Sequence, residues 1–193
     1  MDIPSVFTVQ IGGRALEFPV VPLANASVSI ALFDSQGDLP LCDFLAGQLA
    51  TAAQNLGYAL GTLDVILTAG KAISLAEATA RKIGIAQLSI AEKQAKNFWP
   101  TSFGIASRSI TGGKQEQLVV GGRRAEMLRG KRILVIDDVI STGESIRALV
   151  GIARHFGEAA LVMAPFAEGG THAMQSVDGV PAVVLASLPV WPR

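Results

Sequence analysis

The sequence predicts an α/β fold, a central and mostly parallel sheet flanked by helices, with a small β-rich lobe in front of it. Three observations carry this expectation. From about residue 39 onward, helical and strand-like hydrophobic patterns alternate along the chain, the order that builds parallel strands joined by crossover helices. Strand-like stretches such as "DVILT" and "RILVI" are short and almost wholly apolar, which suits strands covered on both faces. Hydrophobic residues make up 50% of the 193 and charged residues 17%, enough for one sizeable core in one domain. Residues 1–193 therefore read as a single domain, with 1–38 as the lobe and 39–193 as the α/β core.

The elements follow in order. Residues 1 to about 37 carry short β-like runs, "SVFTVQI" and "SVSIALF", broken by Gly and Pro. "LPLCDFLAGQLATAA" opens an amphipathic helix, in which Cys42 reads as a small buried hydrophobe rather than a catalytic thiol. "DVILTAG" (64–70) is a strand ending in a Gly turn. In "AISLAEATARKIG" Ile73, Ala76, Ala80 and Ile83 recur at helical spacing, and Gly84 is placed to cap the helix. "IAQLSI" (85–90) is the next strand; "FGIASRSI" and "EQLVV" are two more, with "TGGKQ" (111–115) between them as a turn or loop tip. Then come "RILVID", a helix from about 143 to 156, and the strands "AALVMAPF" (159–166) and "AVVLASL" (182–188). Right-handed crossovers are the default for such an order, and the ligand crevice then lies beyond the carboxyl ends of the strands.

Composition narrows the function. The 16 basic and 16 acidic residues cancel, which argues against a protein that lives by binding nucleic-acid phosphates. No apolar run reaches the roughly 18 residues a spanning helix needs, although mean hydropathy is high at +0.43, and the N-terminus shows no apolar signal core. No membrane role is expected. A single cysteine excludes an internal disulfide and fits a reducing cytoplasm.

The chemistry concentrates in "KRILVIDDVISTGESIRALV" (131–150), where an apolar strand stops on two adjacent acids, Asp137 and Asp138, and bends through Ser141, Thr142 and Gly143 into a helix. A Gly-containing turn at a helix N-terminus offers unpaired backbone N–H groups and the positive end of the helix dipole. With the hydroxyls it makes a cup for one phosphate. Carboxylates repel phosphate, so the two acids suit sugar hydroxyls or the balancing of a developing cation. Ser141-x-x-Glu144 also fits a capping box that needs no ligand. Two consecutive acids ahead of the turn favour the functional reading.

"ILVIDDVISTGES" resembles the ribose-phosphate recognition motif of type I phosphoribosyltransferases. The resemblance implies that Asp137, Asp138, Val139, Ile140, Ser141, Thr142, Gly143, Glu144 and Ser145 bind phosphoribosyl pyrophosphate (PRPP), the acids at the ribose hydroxyls and 141–145 at the 5′-phosphate. "TAGKAISLA" (68–76) is similar to the family's pyrophosphate loop, which implies Ala69, Gly70 and Lys71 as pyrophosphate-binding. "AEKQAK" (91–96) is similar to the Arg-Lys-x-x-Lys segment of the purine enzymes, with Lys93 and Lys96 matched and Glu92 in place of the arginine. Lys93 joins Asp137 and Asp138 as an implied catalytic residue.

"ASRSITGGKQEQLVV" (106–120) is similar to the mobile catalytic loop of adenine phosphoribosyltransferases, with Arg108, Ser109, Thr111, Gly112, Gly113 and Lys114 as its flexible part and Glu116 beyond. Thr111 stands where that group carries a glutamate and cannot ionise near neutral pH. The first 38 residues match the family's base-covering hood in position and size. What the resemblance implies is transfer of a phosphoribosyl group from PRPP to a purine base in purine salvage, closest to the adenine/xanthine group. Mg²⁺ would arrive with PRPP and have no direct protein ligand, and the enzyme would be a cytoplasmic homodimer. A regulatory protein that senses PRPP or a nucleotide, and a pyrimidine-specific transferase, are the alternatives. The sequence does not name the base. His155 and His172 read as non-ligands; Trp99 and Trp191 either stack on a base or fill apolar gaps, the second being favoured.

Overall fold

The computed structural model describes residues 3–24, 27–108, 115–169 and 175–192, with Ser107, Arg108, Gln115 and Glu116 by backbone alone. At the N-terminal end, β1 (Val6–Ile11), β2 (Arg14–Pro22) and β3 (Val28–Ala31) form an antiparallel sheet. Its fourth strand comes from the other end of the sequence: β13 (Val190–Pro192) pairs with β3. Pro19 lies where the β1 ladder ends opposite Val6 and just before the β3 ladder starts at Val20. A missing N–H is tolerated at such a junction.

The larger sheet has the order β11-β12-β10-β8-β4-β5, with β9 beside β10. Its members are β4 (Val65–Ala69), β5 (Leu88–Ala91), β8 (Arg132–Ile136), β9 (Val139–Ile140), β10 (Glu158–Glu168), β11 (Ser176–Val177) and β12 (Val180–Leu188). Every pairing is parallel except β11 with β12. The helices α1 (Leu39–Asn55) and α2 (Ile73–Ile83) cover one face. The other is covered by α4 (Glu144–Phe156), the short α3 (Arg123–Glu126) and a hairpin of β6 (Ser102–Arg108) and β7 (Gln115–Gly121). The mostly parallel α/β architecture expected from the alternating patterns is the one observed.

Two-sided covering explains why β8 is apolar at every interior position. Leu134 and Ile136 point into the core made with α1, α2 and the N-terminal sheet. Ile133 and Val135 point into the core made with α4 and β7. Side chains alternate across a strand, so only an unbroken apolar run satisfies both sides. The N-terminal lobe belongs to the first of these cores. Phe18 and Phe33 meet Phe166 of β10 edge-to-face, with ring centroids 5.2 and 4.7 Å away.

Helix ends follow local chemistry. Asp38 caps α1, its Oδ1 accepting from the Leu41 N–H at 3.0 Å. Gly84 ends α2 at φ +77°, and the Ile85 N–H turns back to the Ala80 carbonyl. That turn consumes the first residues of "IAQLSI", so β5 starts three residues later than the apolar run suggests. Cys42 is buried in α1, where its thiol donates to the Ser35 carbonyl at 3.1 Å. Burial first, and the Asp38 charge second, raise its pKa, which fits a packing role. Among the described residues no helix is long and apolar enough to cross a membrane.

Candidate active site

The site is built where β4 and β8 end side by side. Their register sets Thr68 opposite Ile136, and the buried Thr68 hydroxyl donates to the Ile136 carbonyl at 2.9 Å. This fastens the two strand ends just before the chains diverge. Beyond Thr68 the chain makes a single 3₁₀ turn, Gly70–Ala72, into α2. Beyond Ile136 come the two acids. Ala69, Gly70 and Lys71 therefore stand next to Asp137 and Asp138.

Asp137 is buried at 7% exposure. Its N–H donates to the Met163 carbonyl of β10, and its Oδ1 accepts from the Asp138 N–H at 3.0 Å. Asp138 repeats the pattern one residue on, accepting from the Val139 N–H at 3.0 Å. Desolvation, followed by repulsion from Asp138, pushes the Asp137 carboxyl well above the ordinary carboxylate range, while the Lys71 charge pulls partly the other way. Two carboxyls of unlike environment result. Asp137 is held toward its neutral form, able to donate as well as accept, and Asp138 is half-exposed.

Val139 and Ile140 run as β9 beside Phe166 and Ala167, and Ile140 is buried in the α4-side core. Their side chains anchor the turn, and what they can offer a ligand is backbone. Gly143 then takes φ +80° as the residue before α4, a conformation that favours glycine. No side chain caps α4. The Ser141 hydroxyl goes instead to the carboxylate of Glu168, at the end of β10, so the capping box that the Ser141-x-x-Glu144 spacing allows is not the arrangement formed. On the far side Arg147 donates to the Thr142 carbonyl at 3.1 Å and lies 3.6 Å from Asp178.

No protein-family model and no curated protein matches the sequence. Solved structures do. The adenine phosphoribosyltransferase of Thermoanaerobacter pseudethanolicus is similar at a TM-score of 0.63 and 16% identity, over 78% of this chain and 82% of that one. That of Trypanosoma brucei, in complex with AMP, pyrophosphate and ribose-5-phosphate, gives 0.58 at 16% identity, over 78% and 65%. The orotate phosphoribosyltransferase of Aeropyrum pernix gives 0.53 at 16% identity, over 95% and 88%.

The fold is that of the type I phosphoribosyltransferases. Within this phosphoribosyltransferase fold, the segment after β5 is organised by Glu92, the residue that departs from the expected arginine. Its carboxylate accepts from Arg124 at 2.7 Å and lies 3.3 Å from Lys96. The Arg124 bond first, with Lys96 also contributing, lowers the Glu92 pKa against the opposing effect of burial. Lys96 is thus ion-paired within the protein, and Lys93 sits on the exposed turn beside it. Arg124 also lies over the Trp99 ring, 5.8 Å from its centroid.

Of the expected loop, Arg108 ends β6, whereas Ser109, Thr111, Gly112, Gly113 and Lys114 fall outside the described residues. The β6–β7 hairpin seats against α4, where the space left by Gly151 receives Ile105. His155 is exposed and stacks on Phe103 at 3.6 Å; His172 lies outside the described residues. Trp191 packs edge-on to Phe7, and Trp99 fills the space beside Gly121. An open groove of about 710 Å³ runs between Phe98, Trp99, Gly122 and Met127. None of its lining residues belongs to the acid pair or the turn that follows it, so volume alone does not locate the chemistry.

Sequence reasoning passed over Glu168 and Arg147. Glu168 carried a readable signal, an acid at the carboxyl end of an apolar strand, the same one that singled out Asp137. Arg147 looked like an ordinary polar residue on an amphipathic helix.

Proposed function

We propose that this protein transfers the 5-phosphoribosyl group of PRPP to a ring nitrogen of a purine base, giving a nucleoside monophosphate and pyrophosphate. One observation carries the reading. A buried and a half-buried carboxyl, Asp137 and Asp138, follow β8 beside Lys71 of the neighbouring turn and lead through β9 and a short turn to a helix N-terminus without a side-chain cap. That order of groups matches the order of parts in the substrate: pyrophosphate, ribose and 5′-phosphate.

In the reaction the base nitrogen supplies an electron pair to C1 as the C1–oxygen bond breaks. The bonding pair leaves with pyrophosphate, and the proton on the base nitrogen is lost to water. C1 gains positive charge on the way. Asp137, as donor and acceptor, and Asp138 hold the ribose hydroxyls, and the Asp138 carboxylate favours that charge, since groups fixed in advance need not reorganise. Lys71 and Lys93 offset the charge growing on pyrophosphate, while Ser141 to Ser145 hold the 5′-phosphate through N–H and hydroxyl groups.

Mg²⁺ fits as a partner of the substrate. Phosphate and hydroxyl oxygens, with Asp138 nearby, form the hard oxygen set it prefers. When bound, it would neutralise the leaving group. The single cysteine and the family resemblance support a cytoplasmic homodimer as the working form.

Pyrophosphate release from PRPP and Mg²⁺, measured with adenine, hypoxanthine, guanine, xanthine, uracil and orotate in turn, tests the proposal. Release with a purine base is expected. Release only with uracil or orotate would move the assignment to pyrimidines, as the orotate enzyme among the similar structures allows. Binding without turnover would make the protein a PRPP sensor. The pair Asp137→Asn with Asp138→Asn is expected to lower turnover by about a hundredfold or more, with the folded circular-dichroism spectrum retained. Undiminished activity in that double variant would remove the acids from the mechanism.

A further inference from the structure

The turn assigned to the 5′-phosphate has an acid beside it. Ala167 pairs with Ile140 across β10 and β9, so the next residues along, Glu168 and Ser141, are brought alongside one another by the sheet itself. The half-buried Glu168 carboxylate accepts the Ser141 hydroxyl proton. The backbone of β10 is held there from the other side too, with Glu168 opposite Leu188 of β12 and the Gly169 N–H on the Leu188 carbonyl. The backbone that carries the acid is therefore placed by the ladder.

A carboxylate at hydrogen-bond distance from a hydroxyl meant for a phosphate has two effects. It occupies the donor, and it repels a ligand that carries up to two negative charges. The N-terminus of α4 and the Arg147 guanidinium, bonded to the Thr142 carbonyl and itself 3.6 Å from the Asp178 carboxylate, act in the opposite direction. Charge near the cup is thus balanced between Glu168 on one side and the helix end with Arg147 on the other.

We propose that Glu168 is an affinity-setting residue of the phosphate cup: an internal competitor that holds the Ser141 hydroxyl in the free protein and weakens binding of the phosphate end of the ligand. The inference rests on the assignment of 141–145 to the 5′-phosphate. When a phosphate enters, the Ser141 proton turns from the Glu168 carboxylate to a phosphate oxygen. No covalent bond changes. The free protein keeps an ordered cup, and a phosphorylated product meets a built-in repulsion that favours its departure.

Titration calorimetry with ribose 5-phosphate, on the full-length protein at pH 8, tests this. Glu168→Gln keeps an acceptor for Ser141 and removes the charge, and it is expected to bind ribose 5-phosphate about tenfold more tightly than wild type. Unphosphorylated ribose serves as the control and is expected to show no such gain. Glu168→Asp keeps the charge one methylene further back and is expected to fall between the two; it also carries the test should the Gln variant not fold. Detectable binding by the Gln variant with none by wild type supports the proposal in its strongest form. Unchanged or weaker affinity in both variants, against a wild type that binds, overturns the role of Glu168 and leaves the phosphate assignment standing. Silence in wild type and both variants overturns the phosphate assignment and this inference with it.

Discussion

Asp137 ties stability to chemistry at a single carboxyl. Its raised pKa means that the folded protein holds a proton which the unfolded chain has released above about pH 3.9. Folding therefore takes up a proton between that value and the raised one, and stability falls as pH rises through the interval. Above it the penalty is constant. Asp137→Asn removes the penalty, so its melting temperature is expected to exceed that of wild type by a margin that grows upward from pH 4. Parallel curves for the two proteins across pH 4 to 8 would show that Asp137 is not held neutral. The two acids were legible in sequence because two adjacent carboxyls ending an apolar strand conflict with simple core packing. The closeness of Lys71 was implied only by the family resemblance, since it depends on β4 and β8 being neighbours, 68 positions apart where Thr68 meets Ile136.

At the scale of elements, turns and strand edges decide how well the site is held. The Asp38 cap fixes the start of α1, and the adjoining segment carries Ser35, whose hydroxyl donates to the Lys71 carbonyl at 2.9 Å. The Gly70–Ala72 turn is thereby braced from the segment leading into α1. Asp38→Ala is expected to cost about 1 kcal/mol, seen as a lower urea midpoint at unchanged slope. No change would mean the cap is dispensable. The strands β4, β8 and β10 could be read from sequence because strands covered on both faces leave unbroken apolar runs. The strands β2 and β13 were hidden by their prolines, Pro19, Pro22 and Pro192. Those prolines look like breakers until the ladder shows that they stand at its ends and junctions.

Across the whole molecule, the two lobes share one core, with Phe166 at the joint. It is fully buried and touches Phe18 and Phe33 of the N-terminal lobe, while its own strand leads on to Glu168. Phe166→Ala is expected to cost about 3–5 kcal/mol and to loosen the N-terminal sheet with the core, measured as lost amide-exchange protection in β1 to β3. Protection lost elsewhere but kept there would show that the lobe stands alone. By itself the sequence determined the α/β class, the order of the core elements and the acid pair with its turn. Each of those is written in local spacing, in period, or in the clash between carboxyls and an apolar run. Only the tertiary structure decided that the chain's last strand completes the N-terminal sheet, that Glu92 binds Arg124, and that Glu168 takes the Ser141 hydroxyl. These are contacts between segments far apart in sequence, set by strand order and register, and no local pattern encodes them.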